Sequence, residues 1–194
     1  MSVDILDVIR NRRSIHSFKG EEVEQEVLEA IFEHASWAPT HYMKEAWNIK
    51  VYQGAGKERL VDEILESYQR IGMIPQNKEM KTMKMMQSMR QFLTHIPHHA
   101  LIYFHKEEDP IRYEEEYASI CAFIQNAQLA AWAYGVGMLW TITPYMHDPE
   151  FPASLGLQDE TIKIAAVLQI GYPEKTPISK GRTPIQHKLD FIVK

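Results

Sequence analysis

An α+β architecture, with helices layered over a few strands that are not consecutive in the chain, is predicted by three features of the sequence. Residues 23–35 and 117–134 repeat apolar side chains at helical spacing. Four short apolar runs, 47–52, 100–104, 137–142 and 162–170, have the length and composition of strands. The order of these segments lacks the regular strand–helix alternation of a doubly wound sheet, and neither G-x-G-x-x-G nor a Walker A loop occurs. A chain of 194 residues, 45% hydrophobic and 24% charged, is long enough for one sizeable core, so residues 1–194 are expected to form a single domain.

In chain order, residues 3–11 form a short amphipathic segment ending in Arg12-Arg13-Ser14. The next helix, 23–35, sets Val23, Val27, Leu28, Ile31, Phe32 and Ala35 against Glu24, Glu26, Glu29 and Glu33, and Ala38-Pro39 ends it. A loop over 40–46 leads to the strand 47–52, which Gly54-Ala55-Gly56 punctuates before a helix at 57–70. Residues 72–93 carry Met73, Met80, Met83, Met85, Met86 and Met89 among lysines and polar residues. This segment reads as a mobile helical cover, its methionines either filling gaps in a core or interface or packing on a flat aromatic ligand.

The strand 100–104 is bounded by His99 and a charged turn at 106–110. In the helix 117–134, Tyr117, Ile120, Cys121, Ile124, Ala127, Gln128, Ala131 and Tyr134 make one long stripe, and small residues allow close packing, so this helix should be central and largely buried. The strand 137–142 follows Gly135, a short helix is expected within 147–155, and 162–170 reads as an internal strand. After Gly171-Tyr172-Pro173 comes an extended basic tail with Lys175, Lys180 and Arg182, then an edge strand near 191–193.

Composition narrows the function classes. A formal charge of -5 argues against nucleic acid as a partner. One cysteine, Cys121, excludes intramolecular disulfides and suits a reducing compartment. Asp4, Asp7 and Arg10 interrupt any apolar leader and no run approaches membrane-spanning length, so the expectation is a cytoplasmic protein without a membrane partner. His95, His98, His99 and His105 lack the spacing of a helical metal pair, and Pro97 breaks the helix that would align them. They read as surface or strand-end histidines, and no metal is expected. Cys121 lies mid-stripe and no G-x-S-x-G elbow exists, which argues against nucleophilic catalysis. Glu114-Glu115-Glu116 reads as a solvated first helical turn.

Arg12-Arg13-Ser14 leaves two readings open. Two guanidinium forks and a hydroxyl form a phosphate-shaped donor set, but cations at a helix end also complement the macrodipole without any ligand. The wider pattern decides between them. Arg12-Arg13-Ser14, then Ala38-Pro39-Thr40-His41 with Trp47, then Gly135-x-Gly137 leading to Trp140, and Gly171-Tyr172-Pro173 before Arg182 resemble, in order and spacing, the nitroreductase family of FMN-dependent oxidoreductases. The resemblance runs from about Ile5 to Phe191 and is weakest between 68 and 96.

The resemblance implies a central, mainly antiparallel sheet surrounded by helices, in a homodimer with FMN in each of two interface pockets. It assigns phosphate and ribityl contacts to Arg12, Arg13, Ser14 and His16, with Lys180 or Arg182 as a late basic partner. His16 departs from the arginine or lysine frequent there, which makes its contact pH-dependent. Pro39, Thr40, His41 and Met43 would reach the flavin held mainly by the other subunit. Trp140, Thr141 and Ile142 would form the strand end facing the flavin, with core packing as the competing role for Trp47 and Trp140. Met43, Glu45 and Ala46 depart from the family's serine-rich loop. The implied activity is ping-pong hydride transfer from NADH or NADPH through FMN to a small-molecule acceptor such as a nitroaromatic or quinone. No catalytic side chain is assigned because FMN carries the chemistry. The alternatives are dehalogenation or desaturation on the same scaffold, and a non-catalytic FMN-binding sensor module.

Overall fold

The protein is described by a computed structural model covering residues 4–77 and 79–193. Val3 of the expected first helix and Lys78 of the methionine-rich segment lie outside the described residues. Helix α1 spans Ile5–Asn11, started by Asp4, whose carboxylate accepts the Leu6 N–H at 2.8 Å. Helix α2, Gln25–Ala35, buries Leu28, Ile31 and Ala35. Strand β1 is Asn48–Tyr52, α3 is Gly54–Arg70 and α4 is Met80–His95. Strand β2 is His98–His105. The long helix α5, Pro110–Ala133, begins with Asp109 accepting the N–H groups of Ile111 and Arg112 and with proline in its first turn. It ends at Gly135, whose φ of +74° is available to glycine at little cost. Strand β3, Gly137–Thr141, helix α6, Glu150–Ser154, and strand β4, Ile162–Gly171, complete the domain.

The four strands form one antiparallel sheet in the order β1-β2-β4-β3. The two central strands are covered on both faces, which is why their sequences run nearly continuously apolar instead of alternating. Alternate residues of β2 feed two cores. Ala100, Ile102 and Phe104 join Leu28 and Ile31 of α2 and Ile120, Phe123 and Ile124 of α5. Leu101 joins Leu60 and Ile64 of α3, Leu93 of α4 and Phe151 of α6. The result is a sheet between two helical layers.

Several expectations need correction. Gly54, Ala55 and Gly56 form the first turn of α3, which therefore begins three residues before the predicted 57–70 helix. The methionine-rich segment is helical only from Met80 onward, and its methionines divide: Met86 and Met89 pack on the second core, whereas Met73, ahead of the helix, and Met80, Met83 and Met85 are exposed. No strand forms at 191–193; Phe191, Ile192 and Val193 are more than 75% exposed in this chain, and no described residue pairs with their backbone.

Of the four histidines expected at the surface or at strand ends, His95 and His105 are exposed and His98 and His105 are the two ends of β2, but His98 and His99 are withdrawn from solvent. Among the described residues no His, Cys, Asp or Glu cluster could hold a metal. His98 Nε2 accepts the Val23 N–H at 2.9 Å, and His99 Nε2–H donates to the Leu93 carbonyl at 2.9 Å, tying the segment that leads into α2, and helix α4, to the sheet. Burial disfavours charge on both rings, and it pushes His99 down to about 4. The unfolded chain therefore binds protons that the folded chain refuses. Their contribution to stability is full above pH 6.5 and is lost as pH falls from 6.5 toward 4. The His99 shift alone corresponds to about 3 kcal/mol at the acid end of that window. Urea unfolding at pH 7.5 and pH 5 should show this loss, and His99→Gln should flatten the profile between those two values.

Candidate functional site

The N-terminal cluster is built where α1 stops. Arg12 and Arg13 follow the last helical residue, and the next segment lies along the free edge of β3: Ser14 bridges to Met138, and the Ile15 N–H donates to the Met138 carbonyl at 3.1 Å. This approach demands glycine at 137. A Cβ there would lie 2.7 Å from Ile15 Cγ1, closer than packed atoms tolerate. Gly137 is thus required so that the arginine segment can reach the sheet.

The two arginines then play different parts. Arg13 Nη1 donates to the carbonyls of Arg10 at 2.7 Å and Arg12 at 2.8 Å, so it caps the end of α1 as the macrodipole reading expects. Arg12 does not. Its Nε is buried without a hydrogen-bond partner, and its ordinary pKa is lowered first by burial and then by the charges of Arg13 and Arg182. Among the described residues, the arginine ion pairs involve Arg70 and Arg90 and no other arginine. Arg12 therefore feels the charge of two other guanidinium groups and, among the described residues, pairs with no carboxylate, which is unfavourable unless an anion is bound. Ser14 and His16 are exposed beside them. Of the two late basic residues considered, Arg182 is the one whose charge reaches Arg12; Lys180 is exposed in the same tail.

A second cluster lies on the loop between α2 and β1. Thr40, His41, Tyr42, Lys44 and Ala46 line a cavity of about 390 Å³ together with Glu107, Arg112, Glu115, Glu116 and Ser119. Pro39 and Met43 belong to the same loop and are exposed. Tyr42, Met43 and Glu45 adopt φ values of 52°, 54° and 47°, left-handed conformations that cost roughly 1–2 kcal/mol per non-glycine residue. Thr40 Oγ1 accepts the Glu45 N–H at 3.0 Å, and His41 Nδ1 lies 3.6 Å from Glu115 Oε1. Lys44 pairs with both Glu107 and Glu116. Glu116 is only 6% exposed and its Oε2 has no partner, so it is not part of the solvated turn the sequence suggested. Its position four residues before Ile120 on the buried stripe was the available signal.

The third element is the end of β3. Thr141 Oγ1 donates to the Val167 carbonyl at 2.7 Å, Ile142 is exposed, and Trp140 is half-buried against the first core with its Nε1 unpartnered. Met138, beside the arginine cluster, is four residues from Ile142, about 14 Å along a strand. Trp47 takes the packing role: its ring stacks on Phe123 at 5.0 Å.

Helix α1 and the loop before β1 lie on different stretches of α5. Ile5 and Val8 of α1 line a groove with Asn126 and Tyr134, whereas the loop holds Glu115 and Glu116. That is 10 to 19 residues apart on α5, roughly 15–30 Å along the helix.

Comparison with known proteins gives the same answer from a separate direction. The model of the nitroreductase family matches residues 9–172. YfhC of Bacillus subtilis (strain 168), named among NAD(P)H nitroreductases, is 34% identical over 184 residues, covering 94% of this chain and 91% of its own. A nitroreductase-like family protein from Bacillus cereus superposes with a TM-score of 0.88 at 34% identity, over 100% of this chain and 98% of that one. NfnB from Mycobacterium smegmatis, an FMN-dependent nitroreductase solved with NADPH, shares the fold at a TM-score of 0.73 and 19% identity, over 96% of this chain and 97% of that one. With the arginine cluster set on β3, the left-handed loop before β1 and a match spanning nearly every element, the chain belongs to the nitroreductase family.

Proposed function

We propose that the protein is an FMN-dependent NAD(P)H oxidoreductase acting on a small electron acceptor of the nitroaromatic or quinone type. The observation that carries this reading is the buried, unpartnered Arg12 Nε, in a guanidinium that feels the charges of Arg13 and Arg182. A phosphate monoester fits that donor set in charge and shape: it would neutralise the mutual repulsion and accept from the orphaned N–H. When bound, FMN would supply the hydride-transfer chemistry between NADH or NADPH and the acceptor.

The chain's own residues bind and orient. Arg12, Arg182 and Arg13, which also caps α1, hold the phosphate, Ser14 adds a hydroxyl, and His16 adds an imidazole contact. Trp140, Thr141 and Ile142 offer a strand end, half-buried to exposed, against which a ring can lie. Thr40, His41 and Met43 border the second cavity with Pro39 and would meet a ring from its edge. Because that cavity is separated along α5 from the α1 end, the loop would serve the flavin clamped by a second copy, and a homodimer is part of the proposal. It is supported by apolar surface that one chain leaves uncovered: Ile5, Leu6 and Ile9 on α1, and Ile178, Phe191, Ile192 and Val193 in the tail. A cytoplasmic location is also proposed, supported by the lone Cys121 and the need for reduced nicotinamide. Among the described residues, no helix is long and apolar enough to cross a membrane.

The test is direct. Purified protein supplied with FMN should show a bound-flavin spectrum and oxidise NADH or NADPH when given a nitroaromatic or quinone, with the parallel double-reciprocal lines of a shared cleft. Absence of flavin binding overturns the proposal, and tight binding without turnover on any acceptor favours the sensor module instead.

A further inference from the structure

Resting on the FMN reading above, we propose that Lys44 is a positioning residue: its ammonium, clasped by Glu107 and Glu116, fixes the loop carrying Thr40, His41 and Met43 in the strained geometry in which it would meet the flavin ring. The loop needs an anchor, because three of its residues sit in left-handed conformations and its large side chains supply none: Tyr42 is 95% and Met43 76% exposed. A segment held in such conformations persists only where its surroundings over-determine it.

Among the described residues, the polar contacts of residues 40–45 differ in what they can hold. The Thr40–Glu45 bond and the Lys44 N–H to the His41 carbonyl, at 3.1 Å, are internal to the loop and cannot fix its place on the domain. The His41–Glu115 pair is long and solvent-exposed, and exposed pairs of that kind contribute little. Lys44 is different because it crosses to the turn before α5 through Glu107 and to the buried face of α5 through Glu116. Among the described residues, Lys44 is the cation paired with Glu116, whose carboxylate is withdrawn from water and whose second oxygen has no partner. Losing Lys44 would strand that charge, so the clasp is hard to release. Bonding to the two carboxylates raises the pKa of Lys44, which keeps the clasp charged through the working range.

Flavin binding separates this role from a general structural one. Riboflavin lacks the phosphate, so it reports the ring-edge contacts without the arginine clamp. Lys44→Met should weaken FMN and riboflavin together, by about tenfold each, leaving their affinity ratio unchanged, because a loop freed of its anchor loses preorganisation. Lys44→Arg should recover most of the loss, Glu116→Gln should reproduce it, and the double variant should be no worse than either single one. In the cofactor-free protein, hydrogen exchange in Lys44→Met should rise across 40–46 and stay unchanged in the core strands. Wild-type affinity for both flavins in Lys44→Met, selective loss of FMN alone, or exchange rising throughout the domain would each overturn the proposal. A wild-type protein that binds neither flavin would instead remove the FMN reading on which it rests.

Discussion

Arg12→Ala should lower FMN affinity by about 100-fold or more while leaving the melting temperature of the cofactor-free protein unchanged or slightly raised. Hydrogen bonds to charged groups contribute roughly 1.5–3 kcal/mol each, and a guanidinium fork makes two of them to a phosphate, so a loss near 2.7 kcal/mol or beyond is expected. The expected neutrality of the empty protein is the more telling half. Arg12 is partly withdrawn from water, faces Arg13 and Arg182, and has an unpartnered Nε, so its removal relieves repulsion and an unmet donor. Fluorescence titration with FMN and a thermal melt of the apoprotein measure the two halves separately. Equal stability loss with unchanged affinity would return Arg12 to the role of a helix end. Arg13 should behave differently, because it caps the Arg10 carbonyl, and its replacement should cost stability as well as affinity.

The largest effect on the fold is expected at Phe123. This ring is fully buried in α5, stacks on Trp47 at 5.0 Å and on Phe32 at 6.3 Å, and so joins α2, α5 and the residue leading into β1. Phe123→Ala should cost about 3–5 kcal/mol from lost burial and the cavity left behind. For a domain of this size that corresponds to a melting temperature lower by roughly 6–20 °C. Urea unfolding should show a reduced midpoint with an unchanged slope. A cost below 1 kcal/mol would mean that the packing of α5 against Trp47 is not what holds the loop region to the sheet.

The elements with strong periodicity were readable from sequence because their burial is one-sided or complete. The stripe from Ile120 to Ala131 and the apolar run 162–170 could form nothing but a buried helix and an internal strand, and the structure has both. Arg12 and Arg182, 170 residues apart, were joined only by resemblance; no local pattern reveals that the tail brings one guanidinium to the other. Lys44, Glu107 and Glu116 were missed for the same reason, since an ion pair spanning 63 or 72 residues leaves no periodic trace. His98 stands at a strand end, as its place in the sequence suggests, but the burial of His98 and His99 has no sequence signal because histidine is usually exposed, whereas here each ring bonds a backbone group that would otherwise be unmet inside the fold. The strand expected near 191–193 has suitable residues, but a strand needs a neighbour, and this chain alone does not provide one.

The arginine cluster at the end of α1 is proposed to clamp a flavin phosphate. That role is tested most directly by titrating the wild-type apoprotein with FMN and with riboflavin, which differ by that phosphate alone. The account predicts that FMN binds at least about 100-fold more tightly, and that the preference collapses in Arg12→Ala. Equal affinity for the two flavins in the wild-type protein would contradict it.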